Sequence, residues 1–239
     1  LQTGNSFQPY TLDEILRNHE HIIKQILPKV SPMKYFQDYL HHGFYPFFLE
    51  NRNFTENLLK TMNMMTEVDI LLIKQIELKY LTKIKRLFYQ LAVEGAKAPN
   101  VSQLAEEINT SRATVMNYIK YLADARLINM IYPTGQEFPK KPSKVMMHNS
   151  NLMYAIYPIQ IDKQEVMETF FVNSLWKDHK ISQTGKDHYF IVDGEKKFRI
   201  CDAQSPNKVR NNPDIIYARY NTEVGKDNRI PLWLLGFLY

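Results

Sequence analysis

The amino-acid sequence predicts a mixed α and α/β chain of three parts. These are an N-terminal helical bundle over residues 1–76, a small unit of short helices and a hairpin over 77–138, and an α/β unit over 139–239. Three observations lead there. Apolar residues recur at helical spacing, between recognisable caps and breakers, through the first half of the chain. A run of short helices with tight turns coincides with the most basic stretch. In the last hundred residues, short alternating runs rich in β-branched and aromatic side chains flank an Asp-Gly pair, the pattern of a hairpin.

Composition sets the bounds. The 239 residues are 44% hydrophobic and 23% charged, with 8 Gly and 12 Pro, which excludes collagen-like, low-complexity and disordered classes. The length suffices for about two compact units with cores of their own. No apolar run approaches the roughly 18–20 residues that cross a bilayer, and the start lacks the basic and apolar zones of a signal peptide. A soluble, cytoplasmic protein without a membrane partner is therefore expected. The single cysteine, Cys201, excludes an internal disulfide and a zinc site built on several thiolates. Because the chain begins at Leu1, it is expected to have lost a leader or to be a piece of something longer.

The bundle is read from its punctuation. Thr11 and Glu14 form a capping box ahead of Leu12, Ile15, Leu16, His19, Ile22, Ile23 and Ile26, which repeat at helical spacing until Pro28. Ser31 and Pro32 open a second, shorter helix with Phe36, Tyr39 and Leu40 on one stripe and Gly43 at its end. An aromatic loop over His42–Phe48 follows, and a third helix is expected from about Thr55 to Lys74, with Leu58, Leu59, Met62, Met65 and Val68 on one side.

The middle unit carries the charge. Between Leu78 and Val145 eleven Lys or Arg face five Asp or Glu, a surplus of six that leaves the remaining chain close to neutral at a net +5. Leu81, Ile84, Leu87, Phe88 and Leu91 mark one helix ending at Gly95, and Val101–Ile108 a second. After the turn Asn109-Thr110-Ser111, Ser111 caps a third helix with Val115, Ile119 and Leu122 inward. Ser111, Arg112, Thr114, Asn117, Tyr118 and Lys120 are then the candidate DNA-binding residues, left largely on the outside. Leu127–Tyr132 and the turn Pro133-Thr134-Gly135 suggest a wing hairpin. This is a winged helix-turn-helix pattern, in which short polar donors and cations at the start of the third helix enter a major groove while the wing meets phosphate. Such units also serve as protein-docking modules.

In the last part, Val145–His148 reads as a short entry strand and Gln164–Leu175 as a helix. Tyr189–Val192, Asp193-Gly194 and Lys197–Cys201 read as a hairpin, and Ile215–Tyr220 and the apolar tail from Ile230 complete the unit. Known chemistry is sparse. No Gly-x-x-x-x-Gly-Lys or Gly-x-Gly-x-x-Gly loop occurs, so this sequence has neither phosphate cradle. The pairs His19/His21 and His41/His42 sit at spacings that point to different helix faces, and Cys201 reads as a packed strand thiol with no activating partner.

Four strings, Lys141–Val145, Asn149–Ala155, Glu168–Leu175 and Ile230–Tyr239, resemble the C-terminal half of a family of predicted prokaryotic AAA+ ATPases. Gly43-Phe44-Tyr45-Pro46 resembles a Gly-Tyr-Pro element of that family's lid, so the resemblance covers nearly the whole chain. It implies a P-loop ATPase domain followed by a helical lid, a winged helix and a restriction-endonuclease-like α/β domain. ATP and Mg²⁺ are then expected only in the missing ATPase domain. The implied partners are that domain, duplex DNA and further copies of the chain.

Nuclease-like folds hold Mg²⁺ through a helix glutamate, a strand aspartate and a Glu-x-Lys pair. Glu168 stands at the helix-glutamate position, but Tyr189 and Arg199 replace the two strand acids and Cys201-Asp202 replaces a Gly-Gly. Glu195 and Lys197 have Glu-x-Lys spacing but lie in or beside the Asp193-Gly194 turn. The expectation is a non-catalytic accessory region. The competing readings are a divergent Mg²⁺-dependent nuclease using Glu168, Asp202 and Lys208, with Asp193 and Asp214 as further weak ion ligands, and a pure protein-interaction module.

Overall fold

The computed structural model describes residues 4–50, 53–73, 76–159, 161–184, 189–204 and 212–238. In chain order its regular elements begin with helices α1 (Leu12–Ile26), α2 (Pro32–Asp38), α3 (Phe54–Met64), α4 (Leu81–Glu94), α5 (Val101–Glu107) and α6 (Arg112–Asp124). Strands β1 (Ile128–Pro133) and β2 (Lys144–Met147) follow, then α7 (Ser150–Ile156), α8 (Lys163–Leu175) and strands β3 (Ile181–Gln183), β4 (Phe190–Val192), β5 (Lys196–Asp202), β6 (Ile215–Tyr220) and β7 (Arg229–Pro231). The protein is thus of mixed α and α/β character.

Contacts divide the chain into two units, Leu1–Leu40 with Phe170–Tyr239, and His41–Thr169. This grouping differs from three consecutive segments at 1–76, 77–138 and 139–239. Helices α1 and α2 group with the last third of the chain and α3 with the middle. The physical reason is that the apolar stripe of α1 finds its partner in residues far away in sequence.

In the discontinuous unit, β3, β4 and β5 are antiparallel neighbours, and β5, β6 and β7 run parallel. The Asp-Gly hairpin forms with Val192 opposite Lys196. Asp193 and Gly194 take φ of 54° and 80°, the left-handed conformations such a turn demands. The core is aromatic: Phe171 of α8 lies 5.3 Å from the ring of Phe190 and 5.1 Å from that of Phe198. Helix α1 is capped by the expected box, Thr11 accepting from the Glu14 amide and Glu14 accepting from the Thr11 amide at 2.8 Å. Its buried stripe Leu12, Ile15, Ile22, Ile23 and Ile26 lies near the 3₁₀ turn Leu232–Phe237. Phe7 meets Phe237 edge-on at 5.4 Å, and Ile230, Leu232, Trp233, Leu234 and Leu235 of the apolar tail are buried.

The other unit is built around α4, α5 and α6. Their inward residues Ile84, Leu87, Leu104, Val115, Ile119 and Leu122 share one core with Leu58, Leu127, Val145 and Leu152. Helix α3 runs on as a wider π-type helix over Met65–Ile73, and the expected end at Lys74 lies outside the described residues. Strands β1 and β2 pair antiparallel, Ile128 opposite Met147 and Ile131 opposite Lys144. The segment read from sequence as an entry strand of the last part is therefore the second strand of the hairpin. The expected boundary between residues 138 and 139 falls inside the loop that joins the pair.

Candidate nucleic-acid interface

Helix α6 begins where the sequence places it. The Ser111 side chain accepts from the Thr114 amide at 3.1 Å and meets the Thr114 hydroxyl at 2.8 Å, which satisfies an amide that the first turn leaves without an intrahelical partner. The tight entry depends on Asn109, whose φ of 49° is in the left-handed region that Asn tolerates better than most residues. Behind the helix, Val115, Ile119 and Leu122 are each 0% exposed.

The six expected DNA-facing residues divide. Ser111, Arg112 and Asn117 are exposed, and Thr114 is half-buried at the same end of α6. Tyr118 is buried at 5% exposure, which corrects its placement on the outside. It stands three residues after Val115 and four before Leu122, so its Cβ shares their inward face. Lys120 is half-buried and pairs with Asp124 one turn on, an i,i+4 contact that occupies its charge along the helix.

Beside α6 lies the loop between β1 and β2, residues 134–143. Its Lys140 and Lys141 are exposed, and Glu137 is its one acid. These lysines were not among the sequence candidates, because the strand that makes their segment a hairpin loop was assigned to the following part. Two adjacent lysines after a strand were the available signal. Arg112, Ala113 and Met116 of α6 share a groove of about 370 Å³ with Phe138, Pro139 and Lys141 of the loop. Asn100, Val101, Ser102 and Asn117 complete its lining.

The remaining candidates sit elsewhere. Glu168 on α8 is held by Lys144 of β2 at 2.6 Å through one oxygen and by the Gln164 amide at 3.0 Å through the other. Both partners of the ion pair are 14% exposed, so this carboxylate serves as the counter-charge of a half-buried lysine. Asp202 ends β5 in the other unit, accepting from the Gln204 amide at 2.8 Å and from the Asn221 side chain at 2.8 Å. Asp193 is engaged by His179 at 2.7 Å and by the Lys180 amide at 3.0 Å. Asp214 is exposed, and Lys208 lies outside the described residues. Among the described residues no group of three or more His, Cys, Asp or Glu is arranged to hold a metal ion. A hard cation needs several oxygens converging on one point, and the oxygens of Glu168, Asp202 and Asp193 are already shared with lysine, histidine and amide donors. Cys201 sits on β5, and burial pushes its thiol up, away from the thiolate a nucleophile needs.

A family described as "Domain of unknown function (DUF8612)" matches residues 33–163, just over half of the chain, and the chain belongs to that family. The matched stretch contains α6 and the β1–β2 hairpin. No curated protein and no solved structure gives a significant match. No helix among the described residues is long and apolar enough to cross a membrane.

Proposed function

We propose that this member of the family binds duplex DNA through a winged helix and acts as a non-catalytic accessory region of a cytoplasmic AAA-type ATPase. Helix α6 is the recognition helix of that reading, presenting Ser111, Arg112, Thr114 and Asn117 to a groove. The β1–β2 hairpin is the wing, with Lys140 and Lys141 placed for phosphate. The observation that carries the reading is this coincidence of an exposed polar helix start with an exposed dilysine loop on the most basic part of the chain. Phosphate contacts supply most of the affinity of such modules and base contacts supply the sequence preference. In the same reading the P-loop domain that binds ATP and Mg²⁺ is a separate partner. The five-stranded unit keeps a nuclease-like layout without cleavage chemistry, a view supported by the engaged carboxylate of Asp202.

Fluorescence anisotropy on a labelled mixed-sequence duplex tests this. Replacing Arg112 and Lys141 together by Ala is expected to weaken binding by about tenfold at low salt, since two phosphate contacts are lost. Unaltered binding by the double variant sinks the assignment of α6 and its neighbouring loop.

A second reading, a protein-docking module, is favoured by exposed apolar side chains in the same unit. Tyr89 and Val93 on α4 are 50% and 41% exposed, and Ile159 is 78% exposed. Retention of an ATPase body with no nucleic acid bound is the outcome that selects it.

A further inference from the structure

The groove beside α6 has a volume of about 370 Å³. That volume falls at the small end of the roughly 300–1,000 Å³ of ligand pockets. Its lining combines the apolar Ala113, Met116, Phe138 and Pro139 with the cations Arg112 and Lys141. Ala113 and Pro139 are exposed, Met116 and Phe138 half-buried, so apolar surface reaches solvent in a groove that also carries two positive charges. The complementary occupant is flat, apolar on its faces and anionic at its edge, which describes a single nucleotide.

We infer that this groove receives an unpaired nucleotide of the bound DNA, its base against Phe138 and Met116 and its phosphate between Arg112 and Lys141. The inference rests on the DNA-binding reading above and narrows it to a substrate class: duplex with a single-stranded end or junction. A base within a duplex must first be unstacked and unpaired to enter, while a base in a tail is already free of that cost. Stacking of a base on an aromatic side chain is tolerant of sequence, because every base offers a π-face, so the preference is for structure and not for a particular base.

The 239-residue chain is titrated by anisotropy against three versions of one duplex: blunt, with a three-nucleotide dT tail, and with a tail of three abasic sugar-phosphates. The dT-tailed DNA is expected to bind about tenfold tighter than the blunt one, the gain that stacking of a base supplies. The abasic tail, equal in added charge, is expected to bind like the blunt duplex. Phe138→Ala removes the aromatic ring from the groove and is expected to abolish the tail preference while blunt-duplex binding persists, with folding followed by circular dichroism; Phe138→Tyr, which keeps the ring, is expected to retain the preference. Blunt binding without a tail preference, or an abasic tail as good as dT, overturns this inference alone. No binding to any of the three overturns the DNA-binding reading together with it.

Discussion

His148 is 3% exposed, its Nδ1 3.1 Å from the Asn129 side-chain oxygen and its ring edge-on to Phe44 at 5.8 Å. Burial, reinforced by the charge of Arg126, lowers its pKa to about 4. Between pH 6.5, where the unfolded histidine titrates, and about 4, the unfolded chain binds a proton that the folded chain refuses. Stability is present in full above pH 6.5 and is lost as the pH falls through that window, by at most about 3 kcal/mol. Urea midpoints at pH 7 and pH 4.5 are expected to separate more in the native protein than in His148→Gln. An equal separation contradicts the buried, neutral histidine. At this scale the sequence was legible where spacing was read in full and misleading where it was not. Ser111 and Thr114 lie where the cap motif puts them, whereas Tyr118, between Val115 and Leu122, faces inward.

At the scale of elements, local signals fixed starts and turns. Gly95 ends α4 as expected, with φ 74° and ψ −172°, a region that only glycine enters cheaply. A Cβ there would also meet the Glu165 carboxylate at 2.8 Å. That carboxylate accepts from the Ala96 amide at 3.2 Å, and burial raises its pKa. Gly95→Ala is expected to cost about 1–3 kcal/mol, read as a lowered thermal midpoint; an unchanged midpoint would mean the strained turn relaxes freely. The Asp193-Gly194 hairpin was equally legible, because two consecutive positive φ angles have few sequence solutions. Strand β2 was not. Four residues with Val145, Met146 and Met147 all buried show no alternation, and nothing local distinguishes the second strand of a hairpin from the first strand of another unit. Its misplacement hid Lys140 and Lys141, the half of the candidate interface that the third helix does not supply.

At the scale of the molecule, the pairing of Leu1–Leu40 with Phe170–Tyr239 left no mark on the sequence. The stripe of α1 declares that it is covered, but the identity of its cover, which includes the turn at Leu232–Phe237, depends on closing a loop of more than a hundred residues. The charge distribution did survive the change of scale. The basic surplus between Leu78 and Val145 falls within one unit, His41–Thr169, where Arg112, Lys140 and Lys141 are exposed together. The most direct test of a DNA-reading surface there is the salt dependence of duplex binding. With three phosphates neutralised, the slope of log K against log salt concentration is expected to be about −3, falling to about −1 when Arg112 and Lys141 are both alanine. Binding that is independent of salt, or a slope that the double variant leaves unchanged, would contradict the account.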